Sequence, residues 1–220
     1  MPPLRNRRQR PSLAHEYELR DTGHLHIAGV DEAGRGAWAG PVIAAAVILP
    51  LTDFNLARSL DDVRDSKLMT PAQRSATYVR IQVIALSIGL GNASSEEVDK
   101  LGVIGATHQA MHRALRALSI PPQHVLIDHL ELPNLTIAQT PLTKGDRDVL
   151  SIAAASVIAK VARDEIMKEL DSVYPGYGFS HHKGYGTVQH RRALKQLGPT
   201  LIHRKTFAPV ANQIIQASSM

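Results

Sequence analysis

Four carboxylates stand at the ends of apolar segments of the chain. Asp31 and Glu32 follow the first such segment, Asp128 follows a later one, and Asp146 precedes a long helical pattern. A carboxylate beside a core must be paired, hydrogen-bonded or bound to a metal, because an isolated buried charge is costly. Taken singly, each acid fits a cap, turn or salt-bridge role better than a catalytic one. Three separated segments that converge would instead form a single acidic site.

The donor types available to such a site favour a hard divalent cation. Carboxylate oxygens suit Mg²⁺ or Mn²⁺. The chain has no cysteine, so a thiolate zinc site, a disulfide and a thiol nucleophile are all excluded. His108 and His112 have the i, i+4 spacing of a transition-metal pair, but no nearby acid in the sequence completes such a site. Hard cations in turn indicate phosphate chemistry.

The adjacent acids Asp31 and Glu32 pose a geometric difficulty. Consecutive residues of a regular strand point to opposite faces, so both side chains cannot enter one site from a strand that continues through them. Gly34 and Gly36 follow closely. We expect these glycines to let the backbone leave the strand here and to let a sugar or phosphate approach the main chain closely.

The elements that must position these acids alternate between strand and helix. Strand patterns occupy residues 24–31, 42–49, 81–90, 125–128 and 136–139. Helical patterns follow the capping-box pair Ser94 and Glu97 and cover 103–118, 148–170 and 187–197. Lys160 and Asp164 form an i, i+4 pair, and we interpret that end of the long helix, with Arg163, as structural. The pattern predicts one α/β domain over residues 21–216 with a helical C-terminal extension.

The positive charge is concentrated in two regions. Arg5, Arg7, Arg8 and Arg10 supply four of the five net charges. Residues 1–20 lack apolar periodicity, so we predict a disordered basic tail there. A second group lies late in the chain and fits a solvated helix face and a nucleic-acid surface equally well; it comprises His181, His182, Lys183, Arg191, Arg192, Lys195, His203, Arg204 and Lys205.

The composition bounds the class of protein. The chain has 220 residues, 44% of them apolar, which suits one globular domain. The longest apolar run, residues 42–51, is too short to span a bilayer, and no apolar signal core follows the Arg-rich start. We therefore expect a cytoplasmic monomer with no membrane partner.

Six segments of the sequence share one family's order and spacing. They are 29–36 (GVDEAGRG), 65–67 (DSK), 126–128 (LID), 144–146 (KGD), 151–164 (SIAAASVIAKVARD) and 183–187 (KGYGT). Together they closely resemble ribonuclease HII, and the resemblance extends from about residue 24 to residue 210. It implies a ribonuclease H-like α/β fold, a mixed central β-sheet flanked by helices. Arg35 and Asp146 distinguish the chain from the related type-3 enzymes, which carry lysine and glutamate there.

The resemblance also assigns roles to particular residues. The implied catalytic metal ligands for two Mg²⁺ or Mn²⁺ ions are Asp31, Glu32, Asp128 and Asp146. The implied substrate-binding residues are Gly34, Arg35, Gly36, Ser66, Lys67, Lys183 and Tyr185. In this family the Gly-Arg-Gly backbone contacts the ribose 2′-hydroxyl, the group that distinguishes RNA from DNA at one nucleotide, and the tyrosine stacks on the neighbouring deoxyribose. Ser66 and the lysines would contact phosphates. For Trp38, substrate contact and packing are equally credible.

The implied activity is hydrolysis of the RNA strand of RNA–DNA hybrids and incision 5′ to single ribonucleotides in duplex DNA. A two-metal mechanism would leave 3′-hydroxyl and 5′-phosphate ends. Arg64 and His129 depart from the family, which often has asparagine and glycine there. One alternative is another acidic-cluster nuclease, such as a resolvase or integrase, and a second is a binding module without catalysis. A sliding clamp is a conceivable partner without support in the sequence.

Overall fold

The computed structural model describes residues 10–218, and over this range the chain forms a mixed five-stranded sheet with flanking helices. The strands are β1 (Ile27–Ala33), β2 (Val42–Ile48), β3 (Ser87–Ala93), β4 (His124–Asp128) and β5 (Ala138–Leu142), in the spatial order β3-β2-β1-β4-β5. The helices are α1 (Ala14–Asp21), α2 (Leu56–Ser59), α3 (Pro71–Ile84), α4 (Ser95–Arg116), α5 (Gly145–Asp148), α6 (Leu150–Val173), α7 (Phe179–His182), α8 (Val188–Leu197) and α9 (Ala208–Ser218). The predicted α/β class is confirmed.

Two parallel strands bring a pair of the candidate acids to one end of the sheet. β1 pairs with β4 in parallel, with Ile27 opposite His124 and Val30 opposite Ile127. β4 also pairs in parallel with β5. Asp31 and Asp128 each come one residue after the Val30–Ile127 pair, so they lie at the same end of neighbouring strands.

The chain divides into two compact units. The first contains the described residues up to Asp31 together with Ala46–Ile88 and Leu118–Ile158. The second contains Glu32–Ala45, Gly89–Ala117 and the described residues from Ala159 onward. The divisions fall within β1, β2, β3 and α6, so each unit holds part of these elements.

The prediction of a disordered tail over residues 1–20 is wrong for residues 14–20, which belong to helix α1. This helix begins at Ala14, and Glu16 on it is fully buried. Leu13, just before the helix, is also buried. The buried helical residue is a carboxylate, so a search for apolar periodicity does not detect the element. Residues 1–9, the rest of the predicted tail, lie outside the described residues.

Two other element predictions need correction. Residues 81–84 form the end of α3, not the start of a strand, because Thr70 and Gln73 form a capping box and Pro71 occupies the first turn. The strand expected at 136–139 begins later, as β5. The capping box of Ser94 and Glu97 is confirmed. Gly102, with φ of 71°, interrupts α4 and divides it into two helical stretches.

The remaining helices follow the sequence pattern. α6 fills the long helical segment, and α8 begins after its cap Thr187 and ends before Gly198. None of the helices within residues 10–218 combines the length and apolar character needed to cross a membrane.

Candidate active site

Three of the four predicted acids lie in the first unit. Asp31 sits in β1 with 3% of its surface exposed, and Asp146 sits in α5 with 5% exposed. Asp128 ends β4 and is half-buried. Its Oδ1 accepts a hydrogen bond of 2.8 Å from the Gly145 N–H. This bond joins the end of β4 to the start of the helix that carries Asp146.

Lys67 is the cation that faces these aspartates. Its Nζ lies 3.8 Å from Asp146 Oδ2, and three quarters of its side chain is exposed. Burial lowers the pKa of Lys67, but the charges of nearby aspartates outweigh that effect and raise its pKa overall; in order of size these are Asp31, Asp65, Asp146 and Asp128. The three predicted aspartates of the first unit therefore all lie close enough to Lys67 to act on its charge.

The pKa of the Asp146 carboxyl group is also raised, first of all by burial. Burial, with the charges of Asp65 and Asp128, raises its pKa to about 6 from 3.8, although Lys67 and Arg147 act to lower it. Burial and the two neighbouring carboxylates therefore disfavour the ionised form of Asp146 even with both cations present. A bound divalent cation would favour that ionised form.

Asp65 is the acid that sequence reasoning missed. It caps the 3-10 helix Ser66–Leu68, where its Oδ1 accepts a 2.9 Å hydrogen bond from the Lys67 N–H. Its Oδ2 lies 3.7 Å from Arg147 Nε, and the residue is almost fully buried. The Asp-Ser-Lys segment contained the signal, but only its second and third residues were given roles.

Ser66 and Lys67 differ in what they can reach. Ser66 is buried, and its Oγ lies 3.0 Å from Ser156 Oγ. The structure thus directs this hydroxyl toward α6, whereas the Lys67 side chain extends into solvent. Lys67 is the better placed of the two to meet a phosphate.

The donor set of the first unit fits a hard divalent cation by its chemistry. The aspartates supply carboxylate oxygens, the donors that such ions prefer, and a bound cation would stabilise the ionised form of Asp146 that burial and its neighbours disfavour. Within residues 10–218, however, no three histidine or acidic side chains are grouped closely enough to hold a metal ion as they stand. The carboxylates would therefore have to move closer together on binding the cation, and the exposed Lys67 ammonium would have to turn away from Asp146.

Glu32 is the first residue of the second unit, and its side chain pairs with the nearby Arg35. Arg35 Nη1 donates to Glu32 Oε1 at 3.3 Å. The backbone leaves the strand at Gly34, as expected, but β1 first continues through both Asp31 and Glu32 to Ala33, so the exit does not separate the two acids. Gly34 has φ of +100°, and a Cβ there would lie 2.1 Å from Arg163 Nε. A Cβ on Gly36 would meet nothing within 4 Å.

Two fully buried arginines of the second unit, Arg163 and Arg204, hold the loop of residues 34–41 in place. Arg163 donates to the carbonyl oxygens of Pro41, Lys183 and Ala39 at 2.9, 2.9 and 3.1 Å. Arg204 donates to the carbonyl oxygen of Gly40 and, at 2.7 Å, to that of Arg35. The structural role predicted for Arg163 fits these contacts, whereas Arg204 was noted only as part of a basic group.

Tyr185 and Lys183 lie close to Arg163. The guanidinium carbon of Arg163 is 5.2 Å from the centre of the Tyr185 ring, and Lys160 Nζ is 5.8 Å from it. Lys183 is half-buried, and burial lowers its pKa. The Trp38 ring lies 5.3 Å from that of His190, tilted by 38°, and 5.2 Å from the guanidinium carbon of Arg191. A Cβ on Gly186 would lie 2.2 Å from the Trp38 ring. These contacts give Trp38 a packing role and leave a substrate contact untested.

A buried histidine chain supports the backbone of Tyr185. The Thr200 N–H donates to His203 Nδ1 at 2.9 Å, so the proton of His203 is on Nε2, which faces His190 Nε2 at 3.0 Å. His190 Nδ1 then donates to the Tyr185 carbonyl at 3.1 Å. Burial lowers the pKa of both histidines to about 4, which keeps them neutral. The sequence analysis placed His203 in a basic group and gave His190 no role, whereas the structure makes both of them uncharged core residues.

Comparison with known proteins identifies the family. The family model described as Ribonuclease HII matches residues 28–210. Ribonuclease HII of Chloroflexus aurantiacus is 46% identical over 205 residues, covering 93% of this chain and 97% of the relative. Among solved structures, ribonuclease H2 of Pyrococcus horikoshii has a TM-score of 0.73 at 24% identity, covering 89% of this chain and all of the other. Bst-RNase HIII in complex with Mn²⁺ has a TM-score of 0.64 at 18% identity, covering 91% and 73%.

These findings confirm the ribonuclease H-like fold and decide between the alternatives left open by the sequence. The family match replaces the resolvase or integrase interpretation, and a binding module without catalysis is excluded by the enzymatic identity of the relatives. The chain belongs to the ribonuclease HII family, the endoribonucleases of the ribonuclease H type that act on RNA–DNA hybrids.

Proposed function

We propose that this enzyme, besides cutting the RNA strand of hybrids, incises duplex DNA on the 5′ side of a single embedded ribonucleotide. The products would carry 3′-hydroxyl and 5′-phosphate ends. The observation that carries the proposal is the grouping of aspartates drawn from β1, β4 and α5, within which burial and neighbouring carboxylates raise the pKa of Asp146 to about 6. A group of carboxylates would repel a polyanionic substrate unless a cation lay between them.

The proposed metal ligands are Asp31, Glu32, Asp128 and Asp146, and the proposed ions are two Mg²⁺ or Mn²⁺. When bound, such ions supply an activated water and neutralise the charge that develops on the phosphoryl group and the leaving oxygen. The Mn²⁺ complex of the type-3 relative is consistent with a divalent ion in this fold.

The chain's own residues prepare the phosphate site. Asp65 fixes the backbone of Lys67 and lies beside Arg147, so two cations border the aspartates. We propose that Lys67 turns from Asp146 to a substrate phosphate when a metal ion takes over the charge of that carboxylate. Ser66 is buried against Ser156. To contact a phosphate, its hydroxyl group would have to rotate away from Ser156.

Sugar recognition is assigned to the second unit. The carbonyl of Arg35 is fixed by Arg204, and the open space at Gly36 leaves the backbone accessible to a ribose 2′-hydroxyl. We propose that Gly34, Arg35 and Gly36 read this hydroxyl. Tyr185 would stack on the neighbouring deoxyribose, and Lys183 would bind a flanking phosphate. The monomeric state and the cytoplasmic location remain predictions.

Cleavage of a labelled duplex with one ribonucleotide tests the proposal. Wild type and Asp31→Asn are compared with Mg²⁺ or Mn²⁺, alongside an all-DNA duplex and an RNA–DNA hybrid. We expect one cut 5′ to the ribonucleotide, no cut in the all-DNA duplex, and loss of both activities in the variant. A 5′-phosphate-dependent exonuclease would then degrade the downstream product.

The outcomes separate the general activity from the proposed one. Cleavage of the hybrid without cleavage at the single ribonucleotide would overturn the proposed specificity and leave the family's activity intact. Undiminished cleavage by Asp31→Asn would contradict the ligand assignment.

A further inference from the structure

The N-terminal segment of the first unit contacts the chain directly after Asp146. The Ser12 N–H donates to the Asp148 carbonyl at 3.0 Å, and the Leu150 N–H donates to the Ser12 carbonyl at 2.9 Å. These two bonds form a parallel bridge between Ser12 and Val149. Val149 has extended backbone angles, φ of −117° and ψ of 123°, and is the one-residue link between α5 and α6.

Glu16 makes the next contact along α6. Its Oε1 accepts a hydrogen bond of 2.8 Å from the Ser151 N–H, and the side chain is fully buried. The first N–H groups of a helix have no partner within the helix. Ser12 and Glu16 thus supply acceptors from outside α6, and the carboxylate also lies at the positive end of the helix dipole.

The same turn of α6 rests on the strand that carries Asp31. A Cβ on Gly29 would lie 2.2 Å from the backbone carbon of Ser151, so the backbones of β1 and α6 meet here. Gly29 lies two residues before Asp31, and Ser151 lies five after Asp146. The contact with Glu16 is therefore at the point where the supports of two candidate metal ligands join.

We infer that Glu16 is a positioning residue for the metal site. By binding Ser151, and with Ser12 holding Val149, it fixes the angle between α5 and α6 and so the place of the Asp146 carboxylate relative to Asp31. Glu16 does not contact substrate or metal. The inference rests on the proposed role of Asp146 as a ligand.

Metal binding and catalysis in the full-length chain test the inference. Glu16→Ala removes the acceptor, Glu16→Gln keeps one oxygen for the Ser151 N–H, and Glu18→Ala is a matched control on the same helix, because Glu18 is exposed. Mn²⁺ affinity is measured by calorimetry without substrate. We expect Glu16→Ala to bind Mn²⁺ roughly tenfold more weakly, as is typical when the support of a metal ligand is lost. Glu16→Gln should recover most of this loss, and Glu18→Ala should match wild type.

Turnover is measured on the single-ribonucleotide duplex and on the hybrid, at a temperature where circular dichroism shows each variant folded. Glu16→Ala should lower kcat by roughly tenfold with little change in KM, and added Mn²⁺ should restore part of the loss. A lower melting temperature with unchanged Mn²⁺ affinity and unchanged kcat would overturn the inference, because the role would then be purely one of stability.

Failure of the proposed function has a different signature. If wild type fails to cut the single ribonucleotide, the calorimetric comparison and turnover on the hybrid still decide the role of Glu16. If Asp146→Asn binds Mn²⁺ as wild type does, the ligand assignment and the inference that rests on it are both wrong.

Discussion

The carboxyl group of Asp146 lies where burial and two neighbouring aspartates oppose its ionisation. Its pKa of about 6 means that the folded protein binds this proton more tightly than the unfolded chain does. The stability that Asp146 contributes is therefore fully present below its ordinary pKa and is lost as the pH rises through about 6. The proposed metal-ligand role of Asp146 therefore conflicts with the stability of the metal-free protein, as is common in active sites.

Replacement of Asp146 by asparagine should stabilise the metal-free protein. In urea denaturation with a chelator at pH 7.5, we expect Asp146→Asn to raise the free energy of unfolding by roughly 1 to 3 kcal/mol. The gain should shrink at pH 4.5, where the wild-type carboxyl is protonated. An Asp146→Asn protein that is less stable than wild type at pH 7.5 would show that the ionised Asp146 carboxylate does not destabilise the metal-free fold.

His129 has a strained backbone conformation that costs folding stability. Its φ is 61°, in the left-handed region that favours glycine, and it is exposed directly after Asp128. The sequence departs from the family here, and the backbone angle gives that departure a physical meaning. We expect His129→Gly to stabilise the protein by about 0.5 to 1 kcal/mol in thermal or urea denaturation.

Asn134 provides the control for His129, because it has φ of 60° and asparagine tolerates this region. Asn134→Gly should change the free energy of unfolding much less. Equal effects of the two substitutions would show that side-chain strain at His129 is not the cause.

At the scale of elements, the approach of β1 to α6 depends on Gly29. A side chain at this position would force the backbone of Ser151 away, so we expect Gly29→Ala to destabilise the protein by roughly 2 kcal/mol or more, by analogy with other overpacked cores. Activity should fall with it, because Asp31 lies two residues away. The measurement is the free energy of unfolding together with kcat on the hybrid.

Gly36→Ala serves as the comparison, since a Cβ there meets nothing within 4 Å. Its melting temperature should stay close to that of wild type, while KM for the single-ribonucleotide duplex rises if the backbone reads the ribose. A Gly29→Ala protein as stable as Gly36→Ala would rule out the close contact.

Some elements of this fold could be predicted from the sequence, and others could not. The acids could be predicted because charged residues at the ends of apolar strands are conspicuous, and the family motifs assigned them roles. α1 could not, because its buried residue is the carboxylate of Glu16, and the helix is held by contacts with α6. The end of α3 resembles a strand in sequence because Ile81, Val83 and Ile84 are β-branched. Val83 is nevertheless exposed, and the cap at Thr70 starts a helix.

At the scale of the whole molecule, stability should depend on pH through the buried histidines. Burial lowers the pKa of His203 to about 4, so the unfolded chain takes up a proton below its ordinary value of 6.5 before the folded protein does. The stability that neutral His203 provides is full above pH 6.5 and is lost as the pH falls toward 4.

The variant His203→Gln isolates this effect. Its stability deficit relative to wild type should shrink by roughly 2 kcal/mol between pH 7 and pH 5, because glutamine does not titrate. The check is urea denaturation of both proteins at the two pH values. A deficit that stays constant would mean that His203 titrates alike in the folded and unfolded states.

We propose that the aspartates of the first unit hold a divalent cation. The most direct measurement is an anomalous difference map from crystals equilibrated with Mn²⁺ above pH 7, where Asp146 is ionised. We predict a peak within bonding distance of the Asp31 and Asp146 carboxylates, with the Lys67 ammonium turned away from Asp146. A map with Mn²⁺ bound only elsewhere, or with Lys67 still beside Asp146 and no peak between the aspartates, would contradict the claim.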